Sequence, residues 1–373
     1  MFSVGASSTW DSNIFRLPDN VDVAARTGGR STRADRTDSL YAGFRIEQPY
    51  AQQRFRLEAT ETAYRHRTFK HLDFDATQYS GAWDWTLTPR ITGVLSADRS
   101  QSLVNYADFR DPTQRNVRTS DVRRASVDWW AYSGWHVLSA LTQTESRSSQ
   151  ATVAFGSFRS DAAEAGIRYV AQSASSIAVN LRASSGTYLN QPPDPVNFLG
   201  DGFKRDETEL VMSWLASGRS SWDARVARVE YRENLFPQRD FTDTTASLGY
   251  RWTPTGRVTF AIDLARDLIP WRDLTATHRV DKRISVGPVW QLAARTTLRA
   301  TLSSGSSSYR NPLVPQPGGE RHDGFYNALL GFDWTITRRL TANASVQRQA
   351  RTSTDPNFQY TDRIATVGLS LLF

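Results

Sequence analysis

The chain has 373 residues, with 45 basic and 38 acidic side chains and no cysteine. Although 39% of the residues are hydrophobic, no run approaches the roughly 18 consecutive apolar residues of a membrane-spanning helix, which excludes a helical membrane protein. A mean hydropathy of -0.50 together with 12% aromatic residues is unusual for a soluble core. It is typical of a transmembrane β-barrel, whose lumen is polar and whose aromatic residues lie at the membrane interfaces.

The first predicted strand spans residues 2–11. Phe2 and Val4 fall on one face and Ser3 and Gly5 on the other, which is the period of a strand with one apolar face. No signal peptide precedes this strand, although an outer-membrane protein needs one. We therefore expect the sequence to be the mature form with an added initiator methionine.

Short and long connections then alternate along the chain. We predict short turns near residues 49–53, 88–90, 133–134, 172–175, 217–220, 253–256, 293–296 and 338–339. We predict longer polar connections near residues 17–37, 69–76, 107–119, 147–159, 189–205, 233–241, 268–277, 309–322 and 352–359. These connections join about eighteen strands, with sixteen as the alternative, and place both termini on the short-turn side. Turn signals every 8–12 residues or so, as in a soluble sandwich, are not seen.

A repeated turn sequence supports this register. DWTLTPRIT (84–92), RWTPTGRVT (251–259) and DWTITRRLT (333–341) each place a Trp before a short turn and restart on Arg with apolar alternation. We predict that most tryptophans form a girdle at one interface, including Trp129, Trp135, Trp214, Trp222 and Trp290. The alternative is a propeller or sandwich core, but blade repeats of about 40–50 residues are not found.

The last thirteen residues, TDRIATVGLSLLF, carry the clearest strand period. Ala365, Val367, Leu369, Leu371 and Phe373 lie on one face, which we expect to meet lipid. Thr366, Gly368 and Ser370 lie on the other face, which we expect to line the lumen. The pattern resembles the C-terminal β-signal of bacterial outer-membrane barrels, so Leu369, Leu371 and Phe373 are the predicted assembly signal for the barrel-assembly machinery.

A family resemblance follows from three features: TWDSNIFRLPD (9–19), the DWT turn repeats and the terminal Phe. Together they resemble the EpsL-type outer-membrane proteins of exopolysaccharide biosynthesis loci, within a broader class of β-barrel porins. The resemblance implies a role in carrying a secreted polysaccharide across the outer membrane. It brings no catalytic motif with it.

The chain offers no recognisable catalytic constellation. Its five histidines are scattered, without an HExxH motif or a cysteine partner, and no GxSxG motif is present. Gly28-Gly29 and Gly318-Gly319 lack the strand and helix context of a phosphate loop and indicate flexible loop tips. We predict neither enzymatic activity nor a cofactor nor a metal site. Because the basic residues form no compact patch, we also predict no nucleic-acid partner.

Charged residues on the polar face of the strands are the candidates for a substrate path. They are Arg45, Arg54, Arg56, Glu58, Asp84, Asp128, Arg182, Arg225, Arg251, Arg299 and Asp333. One interpretation is a set of cross-strand charge ladders that hold a wide barrel open. The other is a polar track along which hydroxyl-rich or acidic sugars slide, with Arg forks bonding carboxylates.

Aromatic and loop residues give two further sets of candidates. Tyr41, Trp130 and Tyr132 would stack on sugar rings, or else belong to the girdle or to a local bulge. A set of loop arginines would instead bind the anionic head groups of outer-membrane lipid: Arg26, Arg30, Arg33, Arg36, Arg110, Arg115 and Arg118.

The sequence thus predicts one all-β domain over residues 1–373, a transmembrane antiparallel up-and-down barrel in the bacterial outer membrane with long extracellular loops and short periplasmic turns. The favoured function is export of an exopolysaccharide, with periplasmic export components as possible partners. The alternative is a general diffusion or uptake porin for small solutes. A surface enzyme or adhesin built on a barrel is the third hypothesis.

Overall fold

The computed structural model describes residues 1–108, 111–150, 156–316 and 318–373. Its chain forms one sheet of eighteen antiparallel strands, in which each strand pairs with its sequence neighbours and β1 pairs with β18. This last pairing closes the sheet into an up-and-down barrel. Closure satisfies every strand edge with hydrogen bonds, which a sheet in lipid requires.

The strands are β1 (Phe2–Asp11), β2 (Asp35–Tyr50), β3 (Gln53–His66), β4 (Phe74–Thr88), β5 (Ile91–Leu103), β6 (Val117–Tyr132), β7 (Trp135–Ser148), β8 (Phe158–Val170), β9 (Ser176–Tyr188), β10 (Gly202–Ser217), β11 (Ser220–Glu233), β12 (Phe241–Thr255), β13 (Val258–Asp273), β14 (Ala276–Ala293), β15 (Thr296–Arg310), β16 (His322–Thr335), β17 (Leu340–Ser353) and β18 (Tyr360–Leu372). The loops include a helix, α1 (Val23–Arg26), and short 3₁₀ turns at Lys70–Leu72, Pro237–Arg239 and Pro356–Phe358. In the described part of the chain, no helix is long and apolar enough to cross a membrane.

Two faces alternate along every strand because successive side chains of a strand point to opposite sides. The outer face carries exposed apolar side chains, for example Leu57, Leu141, Leu181 and Leu302. In β18, Leu369 is 53% exposed and pairs with Ala6 and Ala342, whereas Ser370 pairs with Gly5 and Thr341 on the inner face. An apolar outer band around a polar interior is the arrangement of a barrel embedded in lipid.

An aromatic belt surrounds the barrel near its short turns. Phe55 stacks on Trp83 with a centroid distance of 5.7 Å, and Trp135 lies 5.0 Å from Tyr169. Further outward tryptophans follow at the same end, and these are Trp129, Trp214, Trp222, Trp252, Trp290 and Trp334. The predicted girdle is therefore present, and it marks the membrane interface on the side of both termini.

The strand count and the two sides of the barrel match the sequence analysis, but one predicted loop is wrong. Residues 268–277 are not a long polar connection, because β13 continues to Asp273 and β14 begins at Ala276. Leu268 pairs with Val280, and both side chains are buried. The hairpin is stabilised by this apolar pair, and the sequence does not show that the two residues are partners because Pro270 and Arg272 interrupt the strand period between them.

Within the described residues, the buried apolar clusters lie in the half of the barrel toward the long loops. One cluster joins three loops through Phe15, Phe69, Leu72 and Tyr106. A second cluster packs Val229, Tyr231 and Phe241 of β11 and β12 against the β13–β14 hairpin. The barrel wall is thus held by strand pairing, while the loops are held by cores of their own.

Candidate functional site in the barrel lumen

The strand register places all of the predicted substrate-path residues on the inner face. Cross-strand partners share a face, and the pairs Arg45 with Glu58 and Arg54 with Asp84 lie opposite the apolar band. The remaining predicted residues follow the same register, and they are Arg56, Asp128, Arg182, Arg225, Arg251, Arg299 and Asp333. Their positions along the strands differ, so they do not form one site.

A ring of ion pairs lines the end of the lumen near the short turns. Arg54 donates to Glu47, and Arg56 donates to Asp84 at 2.7 Å. Farther round the same rim, Arg299 bonds Asp333 at 2.9 Å. These pairs agree with the charge-ladder interpretation.

Asp128 belongs to the same ring and bonds two partners. Its carboxylate accepts from Arg168 and lies 2.6 Å from Nδ1 of His136. In contrast, Arg251 and Glu58 make no ion pair within the described residues. The rim therefore combines neutralised pairs with isolated charges of both signs.

A second ladder of ion pairs runs along the inner wall of the barrel, about halfway along the strands, from β6 to β11. Both terminal nitrogens of Arg124 bond the carboxylate of Glu164, at 3.1 and 2.7 Å. Arg182 approaches the same carboxylate with its Nε at 3.5 Å. On the next strands, Arg225 donates to Glu209 and, at 3.4 Å, to Glu207. Arginines thus outline a continuous polar wall on this side of the barrel.

The described parts of the β5–β6 connection, residues 104–108 and 111–116, extend into the lumen, and we call them the crossing loop. Asp108 at its tip accepts from Arg351 of β17 at 2.8 Å and from Arg279 of β14 at 3.1 Å. Strand β14 lies nine strands from β5, directly across an eighteen-stranded barrel. The contact therefore ties the loop to the opposite wall.

The charge of Asp108 is maintained by this anchoring. Burial raises the pKa of the carboxyl, but the facing guanidinium groups of Arg351 and Arg279 outweigh burial and hold the pKa below its usual range. Arg321, whose guanidinium lies 3.8 Å away, adds a third positive charge. The tip of the crossing loop is therefore an anion held by three cations.

The root of the crossing loop is held by apolar packing. The ring of Tyr106 packs edge to face against the ring of Phe15, with the centroids 5.0 Å apart, and the Tyr106 hydroxyl donates to the carbonyl of Gln114 at 2.8 Å. Burial raises the pKa of Tyr106, so the phenol stays neutral. The loop is fixed at both its root and its tip, which makes it a built element of the lumen.

The β13–β14 hairpin also turns inward over the lumen. Pairing between β12 and β13 ends at Ala246 and Arg266, and beyond that point β13 leaves the wall. Arg272 near the hairpin tip then stacks on Tyr188 of β9, with its guanidinium carbon 3.2 Å from the ring centroid. Because β9 lies four strands away, this contact requires the hairpin to cover part of the opening.

The motif TWDSNIFRLPD, at residues 9–19, forms a buried polar network at the barrel seam. Arg16 bonds Asp11 at 3.0 Å and lies 3.1 Å from Asp362 of β18. Asn13 holds the turn by accepting from the amide of Leu17 at 2.9 Å. The motif fastens the first loop to the last strand, and this structural role was not apparent from its sequence.

The predicted sugar-stacking aromatics have different outcomes. Trp130 faces the lumen and stacks on His136 at 6.5 Å. Tyr41 also faces inward, where its ring lies over Gly5. Tyr132 does not line the lumen, because a register shift after Trp130 places it opposite the outward Trp135. A β-bulge of this kind changes the face of the residues that follow it.

Two of the predicted loop arginines, Arg33 and Arg36, are occupied by contacts within the protein, and Arg36 lies in β2 rather than in a loop. Arg33 pairs with Asp19 at 2.9 Å, and Arg36 pairs with Asp38 at the same distance. Arg118 lies in β6 on the inner face rather than in a loop. Arg110 lies outside the described residues.

Sequence reasoning missed the residues that narrow the lumen. Asp108, Arg279 and Arg351 belong to three distant segments, and their contacts depend on how the crossing loop folds inward. The alternation that identifies strands carries no information about such contacts. The described residues also contain no group of three or more His, Asp or Glu side chains that could hold a metal ion.

These features define a class of protein: an outer-membrane β-barrel of eighteen strands with a polar lumen narrowed by its own loops. No protein-family model matches the sequence, and no curated protein matches it either. Support for an EpsL-type family therefore rests on the resemblance alone.

Solved structures agree with this class. The chain is similar to OccK1 (OpdK) of Pseudomonas aeruginosa, with a TM-score of 0.53 and 10% identity over 99% of this chain and 98% of that one. OpdK with vanillate gives a TM-score of 0.51 at 10% identity, with the same coverage. The ferric enterobactin receptor PfeA with BCV-L6 gives 0.50 at 9% identity, over 99% of this chain and 81% of that one. Neither protein is an enzyme, and identities this low show a shared fold alone.

Proposed function

We propose that the protein is an outer-membrane channel that passes acidic, hydrophilic solutes through a lumen narrowed by its loops. The observation that carries this proposal is the crossing loop, whose Asp108 is bound to the opposite wall. An eighteen-stranded barrel without inward loops encloses a wide aqueous channel. Here the solute must pass between the loop and the wall, within reach of charged side chains.

The preference for acidic solutes is argued from the arginine-rich wall of β6 to β11. Arg124, Arg182 and Arg225 line this wall, and Arg251 at the rim has no ion-pair partner in the described chain. Fixed positive charge raises the local concentration of anions in a narrow passage. The neighbouring carboxylates of Glu164 and the other ladder acids reduce this preference without removing it.

Liposome swelling tests the proposal with three sugars of nearly equal size: glucuronate, glucose and glucosamine. Vesicles containing the purified barrel should admit glucuronate fastest and glucosamine slowest, because only the charge differs appreciably. Vesicles without protein give the baseline. Faster entry of glucosamine than of glucuronate would overturn the charge preference, and no entry of any of the three would overturn the channel.

Export of an exopolysaccharide is the second candidate. The continuous ladder from Arg124 to Arg225 favours it, because a chain of sugars could exchange contacts along such a wall without a deep binding step. The EpsL-type resemblance supports the same pathway. Under this proposal the partners are the polymer and periplasmic export components.

Polymer blockade and gene deletion separate the two candidates. An export channel should show current block by the polymer of its own host, weakened by Arg56→Ala and Arg251→Ala, and deletion should stop polysaccharide secretion. A channel that ignores the polymer, with secretion intact and solute uptake slowed after deletion, would instead be a small-solute porin.

A further inference from the structure

A cavity of about 400 Å³ lies on the inner face of β6 to β11, beneath the tip of the β13–β14 hairpin. The hairpin contributes Ile269, Pro270 and Arg272 to its lining. Cavities of roughly 300–1,000 Å³ are the usual size of small-molecule sites. The cavity is therefore large enough for one sugar ring or a molecule of similar size.

The lining is strongly biased toward positive charge. Five arginines and one glutamate line it, namely Arg118, Arg182, Arg205, Arg225, Arg272 and Glu207. Two of these arginines, Arg225 and Arg272, already bond other parts of the protein. Arg225 bonds Glu209 and Thr245, and Arg272 bonds the side chain of Gln191 at 2.9 Å and the carbonyl of Gly200 at 3.2 Å.

Arg182 and Arg205 differ from these wall-supporting arginines. Each approaches a carboxylate through Nε, Arg182 toward Glu164 at 3.5 Å and Arg205 toward Glu207 at 3.0 Å. Within the described residues, their terminal guanidinium nitrogens make no hydrogen bond to protein. The two residues sit diagonally on neighbouring strands, since Arg182 pairs with Glu207 and Ser184 pairs with Arg205. Two guanidinium forks are thus available to one anion.

An aromatic surface adjoins the two forks. Phe203 lines the cavity and packs against Tyr231 at 5.3 Å, Tyr188 at 5.5 Å and Phe158 at 6.0 Å. The hydroxyls of Tyr188 and Tyr231 bond each other at 2.7 Å, which fixes both rings. A rigid ring surface beside paired guanidinium groups suits a ligand that has a flat apolar face and a carboxylate.

We propose that this cavity binds a carboxylate attached to a six-membered ring, with Arg182 and Arg205 holding the carboxylate and Phe203 contacting the ring. The inference rests on the proposed channel function and gives it a binding step within the lumen. The same chemistry occurs in acidic sugars and in aromatic acids. The hydroxyl-bearing side chains of Ser160 and Ser184 on the cavity wall favour the sugar.

Current blockade of single channels in planar bilayers tests the cavity. The probes are glucuronate and benzoate, with glucose and benzyl alcohol as neutral partners of matched ring size. Arg182→Gln and Arg205→Gln should each raise the dissociation constant for glucuronate blockade about tenfold, as expected for loss of one charge-assisted hydrogen bond. Arg159→Gln is the control, because Arg159 pairs with Glu145 outside the lumen.

The outcomes separate this inference from the proposed function. The site is supported if an acid blocks the current saturably, its neutral partner does not, and both variants weaken the block. The acid with the lower dissociation constant, glucuronate or benzoate, then shows whether the ligand is an acidic sugar or an aromatic acid. Anion-preferring conduction with no saturable block, or block that is unchanged in both variants, overturns the cavity and leaves the channel intact. A preference for cations overturns the proposed preference of the channel for acidic solutes, and with it the cavity inference that rests on that preference. Loss of the native shift on unheated gels would identify a variant that fails to fold, and Arg205→Lys then replaces Arg205→Gln.

Discussion

Arg16 is a single side chain that holds two buried carboxylates at the barrel seam. Its guanidinium lies 3.0 Å from Asp11 and 3.1 Å from Asp362, and the side chain of Asp362 is fully buried. A buried ion pair contributes little net stability against an apolar replacement, but removal of one partner leaves uncompensated charge. Here removal of the arginine would leave two carboxylates facing each other.

We therefore expect Arg16→Ala to lower the free energy of unfolding by about 3–5 kcal/mol. Arg36→Ala is the matched control, because Arg36 and its partner Asp38 are 48% and 54% exposed, and a loss of about 0–1 kcal/mol is expected there. Urea unfolding of the refolded barrel in lipid vesicles measures both values. Equal losses in the two variants would contradict the proposed role of Arg16.

The face of most residues was predictable from the sequence, but the partners of those residues were not. Arg56 and Asp84 follow a strict period of two and lie in the lumen, as alternation predicts. Tyr132 follows the same period but lies beyond a bulge, which reverses its face. Arg16 lies in a loop, where no period applies, so its burial could be found only from the folded chain.

Strand β18 provides the clearest test of which face meets lipid. Leu369→Arg would place a charge in the apolar band and should cost on the order of 2–4 kcal/mol if it lies near the membrane midplane. Ser370→Arg would place the same charge in the aqueous lumen and should cost little. Vesicle unfolding experiments compare the two variants, and equal costs would contradict the orientation.

The C-terminal residue belongs to the closing strand pair. The amide of Phe373 donates to the carbonyl of Phe2 at 2.8 Å, and its side chain is 62% exposed on the outer surface. Because this contact adds little buried area, deletion of Phe373 should impair assembly in cells more than refolding in detergent. Outer-membrane fractionation and gel shifts measure the two effects. Normal insertion in cells would rule out an assembly signal at Phe373.

Two inward elements were beyond the reach of the sequence analysis. The crossing loop has a largely polar sequence that a surface loop could share, and the β13–β14 hairpin carries the apolar residues Leu268, Ile269 and Trp271 without a strict strand period. Leu268 and Val280 become an apolar contact only when the hairpin folds against Val229 of β11. Contacts between segments far apart in sequence decide these positions, and local periodicity does not contain them.

The whole barrel was predictable because one physical rule repeats along the chain. Lipid outside and water inside impose the same alternation on every strand, and short turns alternate with long loops on the two sides. Eighteen strands and the tryptophan girdle follow from that repetition. The width of the passage does not follow from the strand repetition, because it depends on how the loops fold into the lumen. Whole-molecule function therefore depends on the crossing loop.

The charge of Asp108 also sets a pH dependence. The pKa of Asp108 is held below the ordinary carboxyl value. Its ion pairs therefore stabilise the anchored crossing loop fully when the pH is at or above the ordinary carboxyl pKa, and this stabilisation is lost only as the pH falls through the lowered pKa. Conductance should therefore stay constant from pH 7 to about pH 5 and rise in stronger acid, below about pH 4. A rise that begins near pH 6 would point to another titrating group.

Single-channel conductance of the wild type and of Asp108→Asn tests the narrowed channel most directly. Loss of the charge at Asp108 removes the attraction to Arg279, Arg321 and Arg351, so the variant should conduct more at pH 7 and fluctuate more between levels. Asp194→Asn is the control and should match the wild type, because the carboxylate of Asp194 accepts hydrogen bonds from the amides of Val196 and Asn197 within the β9–β10 loop, and the asparagine amide oxygen can accept the same bonds. Equal conductance in all three proteins would contradict the account, as would the absence of channels in the wild type.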